Sequence, residues 1–492
     1  MTDSTDVRLT KTTPPDGPVA MSARDRTVIA VLLISTFVVI LNETIMSVAL
    51  PVLLTDLEIT ASVGQWLTGG FLLTMSVVIP VTGFLIRRVS TRVLYGTAMA
   101  LFSLGTLVAA LAPGFPVLLV ARVVQAGGTS IMLPLLMTTV MTLVPPARRG
   151  AIMGNISIVI AVAPAIGPTV SGVVLSLLGW RFMFWLVLPI ALVTLVLGLR
   201  RIVDIGEPTH TRIDVLSVLL SVIGFGGLVY GLSSIGTGGN GPAVPPWVSF
   251  VLGGLGLIAF VLRQLQLQRT DSALLDLRTF AARTFTTSTV LMALMMATLL
   301  GTIVILPIYL QTVLRLDPLA TGLILLPGGL LMGLLGPVVG RLYDRVGARA
   351  LLVPGTVATS LALWSTTLFT ATSSGWLVLG FHLLLSAGLA FVFTPLFTAG
   401  LGAVPPHLYS YGSAIFSTLQ QLAGAAGVAL LVSVLSVRSA GLAAAGASVV
   451  EQTAGGVHTA FLVAACLSLV AVVGAFMVRT PAQEQAAAVP VR

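Results

Sequence analysis

Long apolar runs alternate with short polar breaks along the whole chain. Fourteen runs are about 20 residues or more in length, enough to cross hydrocarbon as helices. They cover 27–51, 64–86, 93–112, 115–139, 150–175, 180–199, 213–233, 247–265, 284–310, 319–341, 348–370, 375–400, 409–435 and 457–478. The breaks are Gly/Pro and charge clusters, such as Pro113-Gly114, Pro145-Pro146-Ala147-Arg148-Arg149, Gly238-Gly239-Asn240-Gly241-Pro242 and Pro405-Pro406. Proline removes an amide donor and glycine adds backbone freedom, so helices end there. The pattern predicts an all-α polytopic membrane protein of 14 spans.

Composition narrows the reading. Of 492 residues, 56% are hydrophobic and 8% charged, outside the range of soluble domains. The formal charge of +9 is spread over short loops. That suits an anionic membrane face and leaves no clustered surface for nucleic acid. Arg24, Arg26, Arg87, Arg88, Arg92, Arg148, Arg149, Arg341, Arg345 and Arg349 fall on the N-terminal side, whereas Arg181, Arg315 and Arg438 fall opposite. The positive-inside rule then places both termini in the cytoplasm. Residues 1–26 are polar and Pro-bearing and are expected to form a disordered cytoplasmic tail, with 479–492 a second tail. The single cysteine, Cys466, excludes an intrachain disulfide. No phosphate-binding Gly-Lys loop, zinc motif or Cys/His cluster is present, so an enzyme, a cofactor and a metal site are not expected.

Two loops repeat. Gly83-Phe-Leu-Ile-Arg87-Arg88-Val-Ser90-Thr-Arg92 follows the second span, and Gly340-Arg341-Leu-Tyr-Asp344-Arg345-Val-Gly347-Ala-Arg349 follows the tenth. If spans seven and eight are an insert, the chain divides into a six-helix half at 27–199, a linker with two extra helices at 200–283, and a six-helix half at 284–478. Repeated halves around a central site are a transporter architecture.

Candidate chemistry centres on Glu43, in a stretch with no Lys or Arg from Thr27 to Ile86. It is the one carboxylate expected in the bilayer core, where an ionisable group is costly and points to function. Arg122 is the one basic residue expected well inside a span. It either snorkels to an interface or neighbours Glu43 and biases its proton equilibrium. Asn42, Gln65, Trp66, Tyr309, Gln311 and Gln420 are polar or amphipathic candidates for a substrate cavity, with interfacial anchoring the alternative for Trp66 and Tyr309. Pro164, Gly167, Pro168, Ser171 and Gly172 form a dense cluster suited to a kinked, closely packed gating helix. His382 reads more readily as a hydrogen-bonded structural residue than as a second proton site.

These motifs resemble the major facilitator superfamily, specifically its fourteen-helix drug:proton antiporter branch, over about residues 27–478. The Gly340–Arg349 loop is nearly a full match to the superfamily signature; the first copy has Arg87 where Asp is usual and Ser90 where Gly is usual. Leu41-Asn42-Glu43-Thr44-Ile45-Met46 resembles the branch's first-helix motif, with Asn42 at the usual acid position and Glu43 one residue later. Arg122-Val-Val-Gln125 resembles the fourth-helix motif, whose Arg is implicated in proton coupling. Pro164-Ala-Ile-Gly167-Pro168-Thr-Val-Ser171-Gly172 resembles the fifth-helix antiporter motif, which marks exporters. In that branch, members that handle dications carry a further acid in a second-half helix, and span 319–341 has none.

The resemblance implies the major facilitator fold and a proton-coupled exporter of hydrophobic, mainly monocationic or neutral drugs, working by alternating access. Its partners would be small molecules, protons and the bilayer of a bacterial inner membrane, and a monomer is expected. The alternatives are a dedicated exporter of one metabolite, lipid or self-made antibiotic, and a non-transporting sensor or assembly partner.

Overall fold

A computed structural model describes residues 21–64, 66–204, 213–234, 245–370 and 372–478. Among them are fourteen helices long and apolar enough to cross a membrane. We label these α1 (Ala23–Asp56), α2 (Trp66–Arg88), α3 (Thr91–Ala110), α4 (Phe115–Leu143), α5 (Arg149–Leu178), α6 (Arg181–Arg201) and α7 (Val215–Leu232). They continue as α8 (Pro246–Leu267), α9 (Arg283–Ile308), α10 (Pro318–Val346), α11 (Arg349–Ser365), α12 (Gly375–Gly402), α13 (Tyr409–Ala444) and α14 (Val449–Ala475).

Helix ends depart from the apolar runs where capping chemistry intervenes. Ser22 accepts the Asp25 amide at 3.0 Å, and Asp25 lies in the first turn, where the helix dipole favours an acid. Residues 23–26, expected in the disordered tail, are therefore helical. Residues 1–20 and 479–492 lie outside the described residues. α14 begins ahead of its apolar run because Ser448 and Glu451 form a capping box, with the Ser448 amide donating to Glu451 Oε2 at 2.8 Å.

The first six spans pack among themselves, as do the last six, and the two groups meet along α5–α10 and α2–α13. Small residues set the first seam. Gly150 faces Gly340, Gly154 faces Gly336, Val162 fills the space beside Gly333, and Ala165 lies against Gly329. A Cβ at Gly154 would come within 2.8 Å of the Pro337 backbone, so only glycine lets the two backbones approach this closely. Across the molecule, a Cβ on Gly83 of α2 would sit 3.1 Å from the Ser410 carbonyl of α13.

α7 and α8 pack on each other through Gly224, Gly227, Gly253 and Gly256, and α7 leans on α2. Asp214 joins the pair. It caps α7 through the Ser217 amide at 3.1 Å and accepts two bonds from Arg263 of α8, each 3.0 Å. Those guanidinium bonds hold its carboxyl down at about 2. Gln264 then accepts the Leu274 and Leu275 amides at 2.8 and 3.2 Å, folding the segment after α8 inward, where Ala273 receives a bond from Tyr411 of α13 at 3.3 Å.

Three substitutions test this packing. Gly336→Leu forces a side chain against α5 and should cost about 1–3 kcal/mol of stability, the range for overpacking. Gly172, whose added Cβ meets nothing within 4 Å, should accept Leu with little change in the melting temperature in detergent. For Asp214 the depressed carboxyl stabilises the fold above about pH 4, and the benefit is lost as pH falls toward 2. The melting gap between wild type and Asp214→Asn should be widest at neutral pH and close over that interval.

Candidate functional site

Asn42 and Glu43 sit mid-way along α1 as neighbours, about 100° apart around the helix. They therefore face different surroundings. Asn42 is 1% exposed, while Glu43 keeps part of its surface open. Asn42 turns to Arg122, which is itself 1% exposed near the start of α4. Arg122 Nη1 donates to Asn42 Oδ1 at 3.2 Å and to Gln125 Oε1 at 3.0 Å, and Nε reaches the Leu67 carbonyl at 3.5 Å. The Phe71 ring lies beneath the guanidinium, 4.0 Å from its carbon to the ring centroid, a cation–π contact. Gln125 Nε2 donates to Thr106 Oγ1 at 2.8 Å, and Thr106 donates to the Phe102 carbonyl at 2.7 Å.

Arg122 therefore does not snorkel. Its charge is buried and answered by neutral groups on three helices, α1, α2 and α4. Glycine makes this possible: a Cβ at Gly105 would lie 2.7 Å from the Ala121 carbonyl and the Gln125 amide, so α3 presses directly on α4. Glu43 lies within the field of the Arg122 charge, yet the two form no ion pair among the described residues. The carboxylate is left with no hydrogen-bond partner there.

The α5 motif touches the turn that carries Glu43. A Cβ at Gly167 would strike Thr44 Oγ1, and Ser171 Oγ donates to the Ile45 carbonyl at 3.0 Å. α5 runs as one continuous helix through Pro164 and Pro168; the Pro168 side chain lies outside the described residues. Gly172 points into open space, so close approach rests on Gly167 and Ser171. Another flank of α5 carries the small-residue seam with α10. One helix thus links the Glu43 turn to the contact between the two groups of spans.

The remaining cavity candidates are dispersed. Gln65 lies outside the described residues. Trp66 is 40% exposed, with its ring 5.8 Å from Tyr230 of α7. Tyr309 is buried, stacks on Phe369 at 5.2 Å and donates to the Thr370 carbonyl at 2.6 Å, while Gln311 is exposed. Gln420 is buried against Met292 of α9, and it is Gln421 that reaches the first six spans, 3.6 Å from Met75 Sδ. His382 Nε2 lies 3.0 Å from the Leu325 carbonyl, tying α12 to α10. The partners that sequence reasoning left without a role are Thr106 and Leu67. Gln125 had a visible signal, since three residues from Arg122 puts it on the same helix face.

The repeated loops close the arginine-rich face in two different ways. Asp344 accepts the Gly150 and Ala151 amides at 2.8 and 2.9 Å, capping α5 from the end of α10. At the matching place Arg87 lies over the Tyr411 ring at 5.3 Å and donates to its hydroxyl at 3.3 Å. Arg149 does likewise with Tyr409, at 5.4 and 3.2 Å. Gly347 has φ +81, which glycine adopts freely, whereas Ser90 has φ −60 and caps α3 through the Val93 amide, so no glycine is needed there. Arg349 lies over Phe476 at 5.4 Å, the Arg92 amide donates to Asp204 at 3.1 Å, and Arg88 and Arg345 complete the two loops.

Fourteen spans in two interlocked groups, with a buried arginine network and a carboxylate within the spans, fit a multi-pass membrane transporter. The chain belongs to the Major Facilitator Superfamily, whose family model matches residues 32–428. It is 40% identical over 455 residues to the lincomycin resistance protein LmrB of Bacillus subtilis (91% of this chain, 94% of that one). It is 41% identical over 458 residues to the uncharacterized MFS-type transporter YcnB of the same organism (92% and 95%). Among solved structures it resembles the human organic anion transporter MFSD10, with a TM-score of 0.66 at 16% identity, covering 94% of this chain and 100% of that one. That similarity supports the fold.

Arg122→Lys keeps the charge but loses the planar fork that serves Asn42, Gln125 and Leu67 together. It should lower stability by about 1–3 kcal/mol, the cost of stranding buried polar partners, read as the melting temperature of the purified protein.

Proposed function

We propose that this chain is a proton-coupled exporter of hydrophobic, mainly monocationic or neutral compounds, with Glu43 as the proton carrier and cation site. The observation that carries the reading is the division of labour at α1. Asn42 holds the buried Arg122, so the neighbouring carboxylate stays unpaired, partly exposed and within the field of a guanidinium. An ionisable group inside a span, close to a fixed cation and partly exposed, suits a residue that must both take and release a proton. The relationship to LmrB, named for lincomycin resistance, supports export of drug-like molecules.

In this reading the arginine-rich face is cytoplasmic, both termini lie there, and the chain divides into six, two and six spans. Closure on that face comes from Asp344 on α5 and from Arg87 and Arg149 on the two tyrosines of α13. Protonation of Glu43 removes its attraction to Arg122 and to a cationic substrate. The α1 turn bearing Thr44 and Ile45 passes that change to Gly167 and Ser171 of α5, and α5 carries it to the α10 seam. The halves then rock about the central site.

Glu43→Gln should leave the protein folded and able to bind ligand while abolishing proton-driven efflux in reconstituted vesicles. Glu43→Asp should retain part of the rate. Wild-type efflux by the Gln variant would overturn the assignment. Gly167→Leu should slow turnover more than it weakens binding. With one core carboxylate, a monocation exchanged for one proton moves no net charge. Its efflux should follow an imposed pH gradient and ignore the potential, whereas a neutral substrate responds to both, at about 2.3 kcal/mol per charge per 100 mV. Efficient transport of a rigid dication would count against a single acidic site.

A further inference from the structure

At the arginine-rich face the junction of α1, α5 and α10 opens into a cavity of about 610 Å³. Arg26, Arg148, Arg341 and Arg345 line it together with Asp344, and the rest of the wall is mostly apolar, with Ile29, Leu33 and Ile152 beside the single amide of Asn155. Both Asp344 oxygens are engaged by the α5 amides. Arg341 donates to the Pro337 carbonyl at 3.2 Å, and no ion pair joins any of the four arginines to a described carboxylate. Four guanidinium groups gathered around one acid that is already engaged by amides keep a net positive charge and offer forked donors to an outside anion, above all to phosphate oxygens.

The shape decides what kind of phosphate. From Arg26 to Leu33 along α1 is about 10 Å, so the cavity is cationic at one end of α1 and mostly apolar a short way along it, Asn155 apart. A dissolved phosphate would satisfy the rim and leave the wall wet. A phospholipid matches both, as basic pockets between spans at this face do. We propose that this cavity holds an anionic phospholipid, its phosphodiester met by the arginines and its first acyl methylenes lying along Ile29, Leu33 and Ile152. Arg26 and Arg148 belong to the first six spans and Arg341 and Arg345 to the last six. The bound headgroup therefore bridges the same seam that Asp344 caps, and it favours the state in which the seam is closed. This holds whatever compound the protein carries.

The test is lipid retention by the full chain, purified from vesicles of equal phosphatidylglycerol and phosphatidylcholine with matched acyl chains and read by native mass spectrometry. Wild type should keep phosphatidylglycerol preferentially and melt at a higher temperature in its presence. Arg26→Gln/Arg148→Gln should retain it about thirtyfold less, given the contribution of each of the two basic residues near an anionic surface, and Arg26→Lys/Arg148→Lys should recover most of the loss. Equal retention of the two lipids by wild type, or undiminished retention by the Gln variant, overturns the site. Glycerol phosphate that displaces the lipid and stabilises lipid-free protein equally well assigns a soluble anion instead and overturns the lipid. Should the Gln variant fail to fold, the wild-type comparison and the glycerol phosphate competition decide alone.

Discussion

The arrangement depends on a guanidinium buried in the membrane-spanning part of the protein and satisfied almost entirely by neutral groups. Placing the Arg122 charge there is costly unless its donors are met. Asn42, Gln125 and the Leu67 carbonyl meet them, Phe71 covers its face, and Thr106 relays the chain of bonds into α3. A carboxylate in the place of Asn42 would pair with Arg122 directly. With an amide there, the network is neutral toward its own arginine, and the charge is left to act at a distance on Glu43.

α5 occupies a second strategic position. One flank meets the α1 turn through Gly167 and Ser171, and another lies backbone to backbone on α10 through Gly150 and Gly154. Glycine contacts of this kind tolerate little intermediate displacement, because a small shift meets backbone rather than a flexible side chain. The amides at its first turn are taken by Asp344. Seam, cap and carboxylate turn are therefore linked by a single continuous helix.

The two loop repeats show how the same ten-residue frame serves unlike contacts. Asp344 uses a helix N-terminus, so it needs an acid. Arg87 meets a tyrosine ring and hydroxyl, so it needs a cation. Gly347 takes a positive φ, whereas Ser90 turns the chain with an ordinary φ and a capping hydroxyl. The departures of the first repeat from the second thus each have a structural counterpart, and the face is closed by dissimilar interactions on its two sides.

The apolar runs by themselves determined the number, order and approximate limits of the spans, because the hydrophobic cost of exposing backbone and charge to lipid is local and additive along the sequence. Glu43 and Arg122 were legible for the same reason: a charge inside an apolar run stands out without knowledge of its neighbours. Helix ends were less so, since Ser22 and the Ser448–Glu451 box act through capping geometry outside the runs. The company each charge keeps was decided only in three dimensions. Asn42 and Glu43 are adjacent in sequence but lie on different faces of α1, and only the packed structure shows that the Asn42 face is the one that meets Arg122 of α4. Tyr309, Gln311 and Gln420 are polar residues in apolar surroundings just as Asn42 is, yet packing directs them to Thr370, to an exposed position and to Met292. Polarity in a span is a property of one residue; a site is a property of several helices in register, and that register is set by side-chain packing between segments distant along the chain.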